Sequence, residues 1–256
     1  MKMKVMYSLA VTIATVALLV TSVTVQASKL DDQIEVTAQQ SYVFKTYLKN
    51  DSIRIKSEHG VVSLLGTVSE ESHKLLAQET VAGLSGVKRV DNRLEVQGPF
   101  PPDKSEAGLK DKVKIMLLLH QSVGAELPDV DVKGGTVTLK GEVSSQKQKE
   151  WATEYTADVE GVTFVNNQMT VAKTPKKTGQ TTAGEKIDDA SITAQVKVVL
   201  LSHRSTSALK TRVETKNGVV TLSGKAKSAA EKNAAAKFAN DVKGVKSVKN
   251  RMTIGK

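Results

Sequence analysis

Residues 217–226 read NGVVTLSGKA, and almost the same string stands at 59–68, HGVVSLLGTV, and at 134–143, GGTVTLKGEV. Asn-Gly before alternating apolar residues predicts a hairpin, because both central positions of a type I′ turn need positive φ. The landmarks around these strings keep fixed offsets. The turn glycines Gly60, Gly135 and Gly218 precede Gly66, Gly141 and Gly224 by six residues, and Gly86, Gly161 and Gly244 follow twenty residues later, each before a Val. Six residues further on stand Asn92, Asn167 and Asn250. Agreement of this kind across three stretches is the mark of an internal repeat.

Each copy reads as helix, strand, strand, helix, strand. Helical spacing of Val113, Met116 and Leu117, and of Ile192, Val196 and Leu200, predicts the first helix. The first strand carries Ile53 and Ile55 in copy one and Val130 and Val132 in copy two; the second carries Val62 and Leu64, Val137 and Leu139, or Val220 and Leu222 on one face. The second helix is expected to start near Ser69, Ser145 or Ser228, with Glu231 completing a capping box in the third copy. Its buried stripe is Ala77-Val81-Leu84, Ala152-Thr156-Val159 or Ala235-Ala239-Val242. The last strand carries Val90, Leu94 and Val96; Val165, Met169 and Val171; or Val248, Met252 and Ile254. The fold class is therefore α+β: three tandem αββαβ modules, each with two helices on a three-stranded mixed sheet. Units of about 70 residues bury little core and are expected to be marginal alone.

The pattern resembles the BON domain, named for bacterial osmotically inducible and nodulation proteins, over essentially the whole chain after residue 27. The third copy, with IDDASITAQVKVVLLS and KNGVVTLSGKA, follows the pattern most closely; the first has a degenerate first helix and His59 at the turn. The resemblance implies a non-enzymatic module that binds phospholipid or envelope proteins, and it leaves the ligand open. On this reading residues 28–98, 103–173 and 185–256 are modules 1, 2 and 3, with the Pro-rich stretch 97–106 and the Thr/Gly/Lys-rich stretch 174–186 as connections.

Residues 1–27 read as a secretory signal peptide: a basic MKMK, an apolar run, and Val25-Gln26-Ala27 before a cleavage site. The rival reading is an uncleaved anchor, since 5–25 is just long enough to span a bilayer. Ser28 stands where a lipid-modified Cys would be, and no twin Arg precedes the apolar run. Cleavage after Ala27 and a periplasmic location are expected.

The 256 residues include no Cys, four His and 4% aromatics, with a net charge of +10. Lack of Cys excludes disulfides, thiol catalysis and Cys-based zinc sites. His120 and His203 occupy equivalent first-helix ends, where copy one has Lys45, and suit the helix dipole. They belong to different modules, His59 to a turn and His73 to a polar helix face, so no metal site is expected. Asn92, Asn167 and Asn250 share the parity of the core-facing Leu and Met, and are expected to satisfy loop or edge backbone groups. Trp151 matches Leu76 and Ala234 and is expected to pack in the core. No nucleophile elbow, zinc-binding helix or phosphate loop occurs, so neither enzymatic activity nor a cofactor is expected.

Charge separates the copies. Residues 28–100 hold 9 basic and 10 acidic residues, 101–173 hold 9 and 11, and 174–256 hold 17 and 6. The excess assigns partner binding to module 3. Candidates for a surface that meets anionic phospholipid are Lys197, Arg204, Lys225, Lys227, Lys232, Lys237, Lys243, Lys246, Lys249 and Arg251, with Lys210 and Arg212 nearby. Nucleic acid is not expected, given the export signal and the scarcity of aromatics. The alternative function is a periplasmic chaperone that holds exported or outer-membrane proteins.

Overall fold

Both central residues of every hairpin turn take positive φ: His59 and Gly60 at 54° and 79°, Gly134 and Gly135 at 57° and 77°, Asn217 and Gly218 at 53° and 78°. The computed structural model describes residues 28–97, 105–124, 127–172, 186–206 and 211–255. Residues 1–27, read above as a signal peptide, and most of both connections lie outside the described residues.

Module 1 runs α1 (28–40), α2 (Tyr42–Thr46), β1 (Ser52–Glu58), β2 (Val61–Val68), α3 (Glu71–Ala82) and β3 (Arg89–Val96). In module 2 these become α4 (Glu106–Leu119), β4 (Asp129–Lys133), β5 (Thr136–Lys140), β6 (Glu142–Val143), α5 (Gln146–Ala157), β7 (Phe164–Asn167) and β8 (Thr170–Val171). Module 3 is α6 (Asp189–Ser202), β9 (Thr211–Lys216), β10 (Val219–Ala226), α7 (Ala229–Asn240), β11 (Ser247–Asn250) and β12 (Thr253–Ile254). In each, the middle strand pairs antiparallel with its hairpin partner and parallel with the last strand, giving a mixed sheet. The α+β class and the module order agree with the repeat.

One carboxylate at the start of each first helix fastens the hairpin turn. Asp31 accepts from the amides of His59 and Gly60, Glu106 from Gly134, and Asp189 from Asn217 and Gly218 at 2.6 and 2.8 Å. The Ser57 hydroxyl, with the Gly60 and His59 amides, holds the Asp31 carboxyl below its ordinary pKa against the opposing effect of burial. That stabilisation is complete above the unfolded carboxyl range near pH ~4 and is lost as pH falls through the folded value. Asp189→Ala should lower stability by about 1–2 kcal/mol, since bonds to a charged acceptor are worth more than neutral ones but this pair is solvated. A urea titration at neutral pH measures it; an unchanged midpoint would show that the turn needs no clip.

The predicted core stripes are buried in all three second helices, and several local details differ from expectation. Helix α3 starts one residue later than Ser69 suggests, at a Glu70 cap without a side-chain bond, because the Ser69 amide and hydroxyl are both taken by Asp51. The reciprocal cap foreseen at Ser228 exists, although Glu231 reaches the Lys227 amide; Ser145 and Gln148 form a second one. The asparagines satisfy backbone of the edge strand, as expected, and also a helix carbonyl, which was not foreseen. Nδ2 of Asn92, Asn167 and Asn250 donates to the carbonyls of Lys74, Lys149 and Lys232, while Oδ1 accepts from the strand amide two residues on, clipping the last strand to the second helix. Val171 and Ile254, in the two-residue final strands of modules 2 and 3, are exposed. Trp151 is half-buried against the core, with Lys147 Nζ 4.9 Å from its ring centroid.

The modules are not beads on a string. Each keeps its own sheet, but their buried apolar residues join in one cluster, and α6 is buried on nearly every side, from Ser191 to Leu200 with only Lys197 half-exposed. Module 1 packs on it through α2 and α3. A break at Ser41 turns the chain so that the Tyr42 amide donates to Asp188 and the Val43 amide to Ser191 Oγ. The degenerate first helix of copy one is thus a docking segment for module 3. Modules 2 and 3 meet about an approximate two-fold axis. The Gln121 amide donates to the Asp241 carbonyl and the Arg204 amide to the Asp158 carbonyl, while bridges join His120 to Val242 and Val159 to His203. Equivalent residues exchange equivalent bonds, as in an isologous dimer contact.

Candidate functional site

The ten candidate cations fall into three groups. Four are engaged between modules. Lys197 pairs with Glu79 of module 1 at 2.7 Å, and Lys243 donates to the Tyr42 hydroxyl at 2.8 Å. Lys237 pairs with Glu154 of module 2, and Arg204 Nη2 donates to the carbonyls of Ala157, Val159 and Val162 around the end of α5. These side chains hold module 3 in place.

Lys225, Lys249 and Arg251 belong to a different surface. In the third sheet Val213, Val220, Leu222 and Met252 face the helices and are buried. Their neighbours point the other way. Across the strands Glu214 pairs with Thr221 and Thr221 with Lys249, while Arg212 pairs with Ser223, which stands beside Arg251 by the same register. Lys216 and Lys225 lie further along the same side. Arg212, Lys216, Lys225, Lys249 and Arg251 are all exposed, and the only acid among them, Glu214, is 2.8 Å from Arg212. Three strands make this face about 10 Å wide, and from Lys216, opposite Val219, to Lys225 it runs six residues, about 20 Å, along β10, so cations on adjacent strands lie within a Debye length while the ends of the face do not. Lys227 and Lys246 are exposed and Lys232 half-buried outside this face.

The same side of the other sheets is charge-balanced. In module 1 Lys56 pairs with Glu58 and Arg93 with Asp91, in a field that also holds Arg54, Arg89 and Glu95. In module 2 Asp129, Asp131 and Glu142 accompany Lys133 and Lys140. The sequence count places the cationic excess in module 3, but the candidates drawn from it omit Lys216 and leave Arg212 at a helix end. Period-two alternation in TRVETK, with Val213 inward, was the signal that places both on this face.

The histidines depart from expectation. His73 Nδ1 lies 2.6 Å from Asp51. His120 and His203, in separate modules, nevertheless meet with their Nε2 atoms 3.0 Å apart. Among the described residues no group of three or more His, Asp or Glu side chains is placed to hold a metal ion, and no helix is long and apolar enough to cross a membrane.

The BON domain family model matches residues 30–98, 105–173 and 188–256. The chain is similar to Osmotically-inducible protein Y of Escherichia coli (strain K12), at 34% identity over 166 residues, 65% of this chain and 79% of that protein. It is similar also to a 21 kDa hemolysin of Actinobacillus pleuropneumoniae, at 36% identity over 164 residues, 64% of this chain and 74% of that protein. Among solved structures, CdsD, a structural protein of the type III secretion system of Chlamydia trachomatis, is matched at 18% identity over 87% of this chain and 90% of that one, with a TM-score of 0.24.

Proposed function

Since the chain belongs to the BON domain family, we propose that it is a non-enzymatic, osmotic-stress-linked protein of the bacterial envelope, located in the periplasm, that docks reversibly on anionic phospholipid through the open sheet face of module 3. The relative named for osmotic induction supports the setting. The observation that carries the docking reading is the convergence of Arg212, Lys216, Lys225, Lys249 and Arg251 on one exposed face while the matching faces of modules 1 and 2 are balanced. With Glu214 offsetting one cation, four net charges at ~1 kcal/mol each give about 4 kcal/mol, roughly a thousandfold enrichment at the surface. Modules 1 and 2 then serve to hold and present module 3.

Co-sedimentation of the chain lacking residues 1–27 with vesicles tests this. Binding to vesicles containing phosphatidylglycerol is expected at low salt. It should be lost near ~0.5 M NaCl, where the screening length falls to about 4 Å. Vesicles of phosphatidylcholine alone should not bind. Equal binding to both vesicle types, or none to either, overturns the reading, and salt-insensitive suppression of client aggregation without lipid would favour the chaperone instead.

A further inference from the structure

We propose that His120 and His203 form an acid-sensitive clasp between modules 2 and 3, which holds one shared proton between the rings and releases the modules when a second arrives. Both imidazoles are fully buried. His120 Nδ1 lies 3.0 Å from Asp241 Oδ2 and His203 Nδ1 lies 3.0 Å from Asp158 Oδ2, so each histidine reaches a carboxylate of the opposite module. The two Nε2 atoms face each other at 3.0 Å. Tyr155 stacks on His120 with ring centroids 4.0 Å apart, and Phe238 stacks on His203 at 3.7 Å. Neither ring can turn without leaving its stacking partner.

Only one protonation state satisfies all three contacts. A carboxylate is an acceptor, so both Nδ1 atoms must carry hydrogen. Two neutral rings in that tautomer would oppose two Nε2 lone pairs. One further proton, on either Nε2, turns that repulsion into an N–H···N bond of ordinary length. The closed pair therefore carries three N–H groups on four ring nitrogens. A fourth would point two N–H groups at each other across 3.0 Å, with no acceptor between them. The spacing is also shorter than on tetrahedral zinc, where two imidazole nitrogens at ~2.0–2.1 Å stand about 3.3 Å apart.

The surrounding charges support a single proton. Hydrogen bonds from His203 and Ser205 outweigh burial and hold Asp158 below its ordinary pKa, so it remains a carboxylate. Asp241 accepts from the amide and hydroxyl of Ser122. Burial and the Asp241 charge raise the pKa of Tyr155, which stays a neutral phenol. Lys237 of α7, paired with Glu154 of α5, and Arg204, spread over the carbonyls that follow α5, complete the set. Burial is first among the forces that hold His120 below its ordinary pKa, with His203 acting in the same sense and the Asp241 hydrogen bond against them. The second proton is the one these forces refuse.

The sign follows from proton counting. Separated modules expose two imidazoles with pKa near ~6.5, which bind two protons in acid, whereas the closed pair binds one. The ratio of open to closed forms should therefore rise by up to about tenfold per pH unit below pH ~6. Module 1 has Lys45, Thr80 and Gly83 where modules 2 and 3 have the histidine, the aromatic and the aspartate, and it takes no part in the clasp.

The full chain contains no Cys, so Gln146→Cys and Ala229→Cys, at the exposed starts of α5 and α7, can carry spin labels for pulsed distance measurement. One narrow distance is expected at pH ~7.5, with a longer population growing below pH ~6; combined His120→Gln and His203→Gln should abolish that pH response. An unchanged distribution down to pH ~5, or the same response in the double variant, overturns the proposal. Ring ¹H–¹⁵N spectra of the unsubstituted protein supply a second measure that needs no histidine replacement. Three N–H groups on the pair at neutral pH are expected, and two or four with the modules still joined would overturn it. Thermal stabilisation by added Zn²⁺ would likewise overturn it, by assigning the nitrogens to an ion.

Discussion

Replacing Lys225, Lys249 and Arg251 together by Glu is expected to lower partition onto phosphatidylglycerol-containing vesicles by more than about 100-fold. Loss of three cations alone removes ~3 kcal/mol, and the three new carboxylates add repulsion from the same surface. All three side chains are exposed and point away from the helices, so the fold should be unaffected, as circular dichroism can verify. The matched control is Arg54→Glu with Lys56→Glu on the corresponding face of module 1, which should change partition by no more than about twofold. Equal losses from the two variants would show that the overall charge of the chain, and not this face, governs attachment.

Gly66→Ala is expected to destabilise module 1 by about 3–5 kcal/mol, whereas Gly141→Ala, at the equivalent place in module 2, should cost only about 1–3 kcal/mol. Both glycines have φ in the region that side chains avoid, 114° and 131°. They differ in what a methyl group would meet. At Gly66 a Cβ would stand 2.0 Å from the Ser52 carbonyl oxygen, which is backbone and cannot move without breaking the β1–β2 ladder; at Gly141 its nearest neighbour is the Pro128 Cα at 3.7 Å. Hydrogen exchange of the β1 and β2 amides, compared with β4 and β5, separates the two cases. Equal loss of protection would mean that β1 yields without cost and that only the dihedral matters.

The contrast at these glycines shows what the repeat could and could not reveal. A shared landmark such as Gly66 and Gly141 announces the same local geometry, because turn dihedrals and strand alternation depend on neighbours in the chain. The αββαβ order, the turn conformations and the buried stripes were legible on those terms. Which cations lie together was half legible: Lys249 and Arg251 follow from alternation on their own strand, but their nearness to Arg212 and Lys216 is set by register across β10. Lys197 and Lys243 looked like surface cations because Glu79 and Tyr42, their partners, are more than 100 residues away in the chain. The histidine pair was hidden for the same reason. Its trace lay in the differences between copies, since a His followed 38 residues later by an Asp occurs in the second and third but not in the first.

Helix α6 has a consequence for how the chain matures. Its apolar sides are covered by the first and second repeats, yet it is made last. During synthesis, α3 and α4 must wait with their mating surfaces bare until the C-terminal third emerges. Completion is therefore gated by the final segment to be synthesised, and a prematurely ended chain would present sticky helices with nothing to seal them.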